Sequence, residues 1–173
     1  AIPGRIQAED FFFQSGIQLE NTTDDGGGQN IGFLDVGDYL DYFIDVAEEG
    51  TYAVDYRTAA LSEAGQVQMQ LVNADGSSTT LHTATFPSTG GWQTWTTTTE
   101  PLILPAGQHQ LRVLITQSLF NINWFEFTLL TKTDEPEFAA DVQLFPNPSS
   151  GAFLLQGELK EQQALKLEVH NLS

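Results

Sequence analysis

Two aromatic residues each follow a run rich in glycine. Gly26-Gly27-Gly28 leads through Gln29-Asn30-Ile31-Gly32 to Phe33, and Gly90-Gly91 leads straight into Trp92. Glycine reaches backbone angles that side chains close to other residues, so the chain can fold away sharply and leave the next ring standing proud of its loop. Taken singly, each ring reads as part of a loop tucked onto a core. The same glycine lead-in at both shifts the reading toward an exposed pair. Two rings facing each other across a gap accept a flat molecule with apolar faces and a hydroxyl edge, which is the shape of a sugar ring. Such stacking contributes roughly 1.5–3 kcal/mol per ring. The hydroxyls then need fixed polar partners, and Glu20 and Asn121, each in a polar segment beside a loop, are the candidates. Two rings and two or three net hydrogen bonds sum to about −5 to −6 kcal/mol, a dissociation constant on the order of 100 µM.

Other chemistry has weaker support. Glycoside hydrolysis needs two carboxylates across a cleft. With 23 acidic residues a pair can always be nominated, and Asp24/Asp25, Asp35/Asp38 and Asp41/Asp45 have no distinguishing context; most read as solvated strand or turn positions. His82, His109 and His170 are far apart, without metal or triad spacing, and His109 reads as an exposed strand residue. The glycines at 26–28 precede a strand, so no helix N-terminus backs them for phosphate. A hard-cation site has more in its favour. Gln7 and Glu9 read as lying on one side of the first strand, with Ile6 and Ala8 inward. Together with a loop carbonyl near Asp25 and a polar residue of the last strand they form an oxygen-only set that suits calcium. An exposed strand edge explains the same spacing equally well.

The elements that must position these residues are strands. Short β-rich runs at 5–12, 39–46, 51–58, 67–73, 78–86, 93–99, 108–115 and 123–130 alternate with turn clusters such as Ala74-Asp75-Gly76 and Pro105-Ala106-Gly107. Their spacing predicts an all-β antiparallel sandwich. Trp124 and Glu126 alternate against Phe125 and Phe127, as a half-buried strand requires. Trp95, Trp124, Tyr42 and Tyr52 read as core or sheet-packing residues.

Size and composition bound the function. The 173 residues suffice for one well-buried domain plus an appendage, and 40% hydrophobic with 11% aromatic content indicates a real core. A net charge of −17 with only six basic residues argues against nucleic acid, anionic membranes and acidic polysaccharides. Cysteine is absent, which removes thiol chemistry and thiolate metal sites. No apolar run reaches membrane-spanning length. A start at Ala1, without Met or signal peptide, reads as a processed or excised piece of something longer.

The acidic, proline-bearing stretch Lys132-Thr-Asp-Glu-Pro-Glu137 reads as a linker, placed at 132–141, between a module at 1–131 and an appendage at 142–173. Strand candidates at 152–155 and 165–169 are too few to stand alone.

Several of these stretches together resemble a family 6 carbohydrate-binding module. They are Ile6-Gln-Ala-Glu-Asp10, Ser15-Gly-Ile-Gln-Leu-Glu20, the run from Asp25 to Tyr39, Gly50-Thr-Tyr52, Thr89-Gly-Gly-Trp-Gln-Thr-Trp95, Leu104-Pro-Ala-Gly-Gln-His109 and Phe120-Asn-Ile-Asn-Trp-Phe-Glu-Phe127, in order over about residues 3–131. The resemblance implies a galactose-binding-like β-jelly-roll sandwich and a non-catalytic role. It assigns Phe33 and Trp92 as stacking platforms, Asn121 as the main hydrogen-bonding side chain and Glu20 as a rim residue. Structural calcium would fall to Gln7, Glu9 and Asn123, with a carbonyl near Asp25; Glu126 stands where the family can be basic and is set aside. Phe33 departs from the usual Tyr or Trp and loses a phenolic hydroxyl while keeping the stacking face. Some members carry a second site on the concave face at the position of Tyr39, but the bulky, apolar Phe13 beside that face argues against one here.

The resemblance implies a neutral glycan ligand. Glu20 beside a pocket-like aromatic pair leans toward chain ends of β-1,3-glucan such as laminarin, with xylan or another β-linked glycan as the alternative, and a small glycoside hydrolase in its own right further behind. The tail from Leu144-Phe-Pro-Asn-Pro-Ser-Ser-Gly151 to Ser173 resembles a truncated C-terminal sorting domain of type IX secretion. That implies a secreted or cell-surface protein exported across the outer membrane, with an upstream catalytic domain such as a laminarinase as its partner.

Overall fold

The structure is a computed structural model and describes residues 1–130, together with the short stretches 143–145 and 154–156. It falls into two units, Ala1–Leu130 and Thr131–Ser173. In the second unit Gln143–Phe145 pairs antiparallel with Leu154–Gln156. The linker at 132–141 and the strand candidate at 165–169 lie outside the described residues.

The first unit is built from β1 (Gly4–Gln7), β2 (Phe13–Ser15), β3 (Gln18–Asn21), β4 (Gln29–Gly32), β5 (Tyr39–Val46), β6 (Gly50–Ala60), β7 (Gly65–Val72), β8 (Ser78–Phe86), β9 (Thr96–Leu104), β10 (Gly107–Gln117) and β11 (Phe120–Leu129). One sheet has the order β3-β4-β11-β6-β9, with β1 also pairing β11; the other has the order β2-β5-β10-β7-β8. All strand pairs are antiparallel, as the all-β sandwich reading requires. Alternation explains the layers. Leu40, Tyr42, Ile44 and Val46 of β5 face inward against Phe125 and Phe127 of β11, with Tyr56, Phe86 and Phe120 filling the gap. The edge-on contact of Tyr42 with the Phe125 ring ties the two sheets together, and Tyr56 meets the same ring from its neighbouring strand within one sheet.

The expected strand at 5–12 divides. After β1 the chain turns at Ala8 and Glu9, with Asp10 N–H donating to the Gln7 carbonyl at 3.0 Å, and crosses to the other sheet as β2. Glu9 therefore lies in a turn and does not alternate with Gln7 on one strand. The expected strand at 93–99 is displaced to β9, which includes Pro101. A proline is tolerated there because β9 is an edge strand. Trp95 stands just ahead of β9, half-buried. Asp24 and Asp41, read as solvated, are instead bound by arginines: Asp24 by Arg57 at 2.6 and 2.8 Å, Asp41 by Arg112 at 2.7 and 2.8 Å. Buried carboxylates persist only when paired. His109 is half-buried, its Nε2 3.2 Å from the Pro105 and Ala106 carbonyls.

His82 of β8 is half-buried against Tyr56, to whose hydroxyl it is hydrogen-bonded, and burial holds its pKa below the usual 6.5. Asp24 is held below the usual 3.8 by its hydrogen bonds from Arg57. A depressed histidine resists protonation only in the folded state, so its contribution is complete above pH 6.5 and lost as pH falls below it. The Asp24 contribution is present above 3.8 and lost as pH falls toward its folded value. Thermal denaturation should accordingly show two descending steps on acidification, and His82→Gln should remove the upper one alone. An unchanged upper step in that variant would assign it elsewhere.

Candidate functional site

At one end of the sandwich the β3–β4 hairpin, the loop before β9 and the β10–β11 turn enclose a cleft of about 560 Å³, lined by Glu20, Phe33, Trp92 and Asn121 together with Gly16, Gln18, Leu34, Asp35, Leu119 and Phe120. The four residues singled out from sequence thus meet in one place. Phe33 is 62% and Trp92 41% exposed, so neither ring is tucked onto the core. Asn121 lies at the floor, 4% exposed.

Local structure holds each ring. Phe33 follows β4 with φ of +57°, and Leu119, at the β10–β11 turn, has φ of +73°. These are the two non-glycine residues in the left-handed region among the described residues, and both line this cleft. Such backbone is disfavoured for bulky side chains and gathers at functional sites. The Trp92 loop is pinned to the end of β6: Thr89 and Gly90 N–H donate to the Ala60 carbonyl at 2.8 and 3.1 Å, and Ala60 N–H donates to Thr89 Oγ1 at 2.9 Å. From the other side Asn121 Nδ2 donates to the Trp92 carbonyl at 2.8 Å. The indole is thus held by its backbone and leaves a face free.

Glu20 is fixed from β11 by Asn121 Nδ2 at 2.6 Å and from β4 by Asn30 Nδ2 at 2.9 Å. Gly32 supplies the space, since a Cβ there would stand 2.8 Å from Asn121 Oδ1 and 3.2 Å from Glu20 Oε1. Gly32→Ala should therefore leave a folded protein whose cleft no longer binds its ligand well, a tenfold or greater loss by calorimetric titration; unchanged affinity would show that the added methyl is accommodated.

The proposed cation ligands are brought together in part. Asn123 sits where the register of β11 against β6 shifts, between Ile122 and Trp124. Such a bulge re-aims a side chain, and Asn123 is buried with Nδ2 donating to Asp24 Oδ2 at 2.8 Å. Its carbonyl accepts from Ala8 N–H at 2.9 Å, next to Glu9. Glu9 Oε1 accepts a long bond from Gln29 N–H at 3.4 Å, while Glu9 Oε2 is buried without a hydrogen-bond partner. Glu9 and Asn123 therefore converge on the 24–29 loop. Gln7, exposed on β1 opposite Trp124, shares no hydrogen bond with either. Glu126, set aside earlier, is ion-paired to Arg5 at 2.6 Å.

On the outer face of the second sheet, Tyr39 is engaged by Phe13 (ring centroids 5.8 Å apart) and by the Arg112 guanidinium 3.9 Å above its ring. Sequence reading passed over Gln93 and Leu119. Gln93 follows Trp92 and reaches across to Glu20, and Leu119 sits in the left-handed turn before β11; neither residue type carries a local signal of that placement.

The family description "Carbohydrate binding module (family 6)" matches residues 7–129. The chain belongs to that family. Family 6 modules are non-catalytic binding modules. Among solved structures, the module resembles one from Cellvibrio mixtus lichenase 5A in complex with cellotriose, at 38% identity and a TM-score of 0.69, covering 75% of this chain and 99% of that one. It also resembles a β-1,3-glucan-binding family 6 module from Bacillus halodurans, at 35% identity and a TM-score of 0.65, covering 71% and 93%. Among curated proteins it is 36% identical over 124 residues to the clotting factor G alpha subunit of Tachypleus tridentatus, covering 71% of this chain and 18% of that relative's length.

Proposed function

We propose that the cleft stacks a terminal sugar of a β-linked neutral glycan between Phe33 and Trp92, with Glu20 and Asn121 reading its hydroxyls, and that ends of β-1,3-glucan such as laminarin are its preferred ligand. The observation that carries this is the convergence of two exposed rings and two fixed polar side chains on one cleft. The β-1,3-glucan preference draws support from the Bacillus halodurans module and from Glu20 at the rim. Xylan or a β-1,4-glucan is the alternative, the latter favoured by the cellotriose bound to the Cellvibrio module. Isothermal titration against laminari-, cello- and xylo-oligosaccharides tests the reading: heat with the laminari series strongest supports it, and silence with all three from folded protein in calcium retires it.

Calcium belongs to the same proposal. A Glu9 oxygen buried without a partner among the described residues fits a cation, and Asn123, whose Nδ2 goes to Asp24 and whose carbonyl takes the neighbouring Ala8 N–H, can offer its amide oxygen. Among the described residues no group of three or more acidic, histidine or cysteine side chains gathers, so the remaining donors would be neutral oxygens: Gln7 and a carbonyl near Asp25. Bound there, calcium supplies a structural link between the turn after β1, the 24–29 loop and β11. Removing it with a chelator should lower the melting temperature by ~5–10 °C, and Glu9→Gln should abolish the response. An identical melting temperature with and without chelator would exclude the site.

Export by type IX secretion and attachment to an upstream polysaccharide-degrading enzyme such as a laminarinase complete the proposal. They rest on the tail motif at 144–151, almost all of which lies outside the described residues, and on the enzyme origin of related modules such as the lichenase one. No helix among the described residues is long and apolar enough to cross a membrane.

A further inference from the structure

Three amide groups donate to a single oxygen of Glu20. Asn121 Nδ2 at 2.6 Å, Asn30 Nδ2 at 2.9 Å and Gln93 Nε2 at 3.1 Å all reach Oε1. Glu20 lines the cleft, and its Oε2 takes no hydrogen bond from the described residues. The clamp is itself held in place. Gln93 Nε2 also donates to Asn30 Oδ1 at 3.1 Å, and Gln93 Oε1 accepts from Thr23 N–H at 2.8 Å. Asn30 is completely buried. Turning either the Asn121 or the Gln93 amide over would set oxygen against the Glu20 carboxylate, so the network fixes their orientation.

Asn121 is committed in the same way. Its two amide protons go to Glu20 Oε1 and to the Trp92 carbonyl, at 2.6 and 2.8 Å. What remains for a ligand is Asn121 Oδ1 and Glu20 Oε2, both acceptors, on two side chains that line the same cleft.

We propose that Glu20 and Asn121 form an acceptor-only pair, held so by Gln93 and Asn30 as positioning residues, and that the cleft selects a saccharide edge offering two hydroxyls as hydrogen-bond donors. This rests on the carbohydrate-binding reading above. Stacking on Phe33 and Trp92 is tolerant of ring type, so discrimination falls to this pair. A saccharide whose edge is methylated, sulfated or oxidised to a carboxylate is refused, because it brings an acceptor to face an acceptor and leaves buried lone pairs unpaired.

The test is titration of the full chain with laminaritriose, cellotriose and xylotriose. For the parent that binds best, deoxy and deoxyfluoro analogues of each terminal-residue hydroxyl follow. Fluorine preserves size and weak accepting capacity but cannot donate. The expected result is two hydroxyl positions at which both analogues bind at least tenfold more weakly than the parent and within threefold of each other. Fluoro analogues that match the parent wherever the deoxy ones fail would show the protein donating, and would overturn the proposal while leaving carbohydrate binding intact. Analogues that all match the parent would overturn it equally. Failure of every parent to bind would remove the carbohydrate reading and this inference with it. Gln93→Leu should weaken the parent tenfold or more and shrink the parent-to-deoxy ratio below threefold at one of the two positions, a change in selectivity that mere loosening of the fold does not produce; an unaltered ratio removes Gln93 from the positioning role. Should that variant fail to fold, the analogue series on the unaltered chain still decides the proposal.

Discussion

Alanine in place of Trp92 lowers affinity for the preferred oligosaccharide at least tenfold and leaves the melting temperature within ~2 °C of the parent protein. An indole face stacked on a sugar contributes roughly 1.5–3 kcal/mol, which spans about one to two powers of ten in affinity. The fold survives because the loop is held by backbone: the Ala60 carbonyl takes the N–H groups of Thr89 and Gly90, and the Trp92 carbonyl takes Asn121. Phe33→Ala should behave alike, with a smaller loss for the smaller ring, and Phe33→Tyr should retain binding because the stacking face is unchanged. Titration with circular dichroism on each variant is the check. Wild-type affinity in Trp92→Ala would remove the indole from the site and reopen a protein-adhesion role for these aromatics.

Asn121→Leu should be more damaging and in a different manner. It keeps the volume at the cleft floor but removes the shortest of the three bonds to Glu20 Oε1 and leaves the Trp92 carbonyl without its donor. An unpaired group of that kind costs about 1–3 kcal/mol. Sugar binding should fall beyond measurement in the millimolar range, with a fall of several degrees in melting temperature, because one amide serves both the loop and the ligand edge. Retained binding with lowered stability would confine Asn121 to a structural role.

The longer strands were legible as β-rich runs between turn clusters, and β5 and β8 fall at the expected residues. The polar strands β3 and β4 were not, because their identity comes from pairing with each other and with β11 and not from their own pattern. The cleft was legible through its glycines, since Gly28 and Gly90 do adopt positive φ ahead of the two rings. Strain at Phe33 and Leu119 was not, because nothing in a phenylalanine or leucine announces a left-handed backbone. Gln93 carries no local signal either. Its partners Glu20 and Asn30 lie more than sixty residues away and meet it only once the β3–β4 hairpin is formed. For the cation set, spacing suggested one strand for Gln7 and Glu9, whereas the turn at Ala8 sends Glu9 toward the 24–29 loop.

Where on the surface sugar binds is read most directly by a proton–nitrogen correlation spectrum of the labelled chain titrated with laminarihexaose in calcium. The account predicts shifts in the Trp92 indole N–H, the Asn121 side-chain amide and the backbone of Gly32 and Phe33, saturating together. Shifts confined instead to the opposite sheet around Phe13, Tyr39 and Phe43, with Trp92 and Asn121 unmoved, would contradict it.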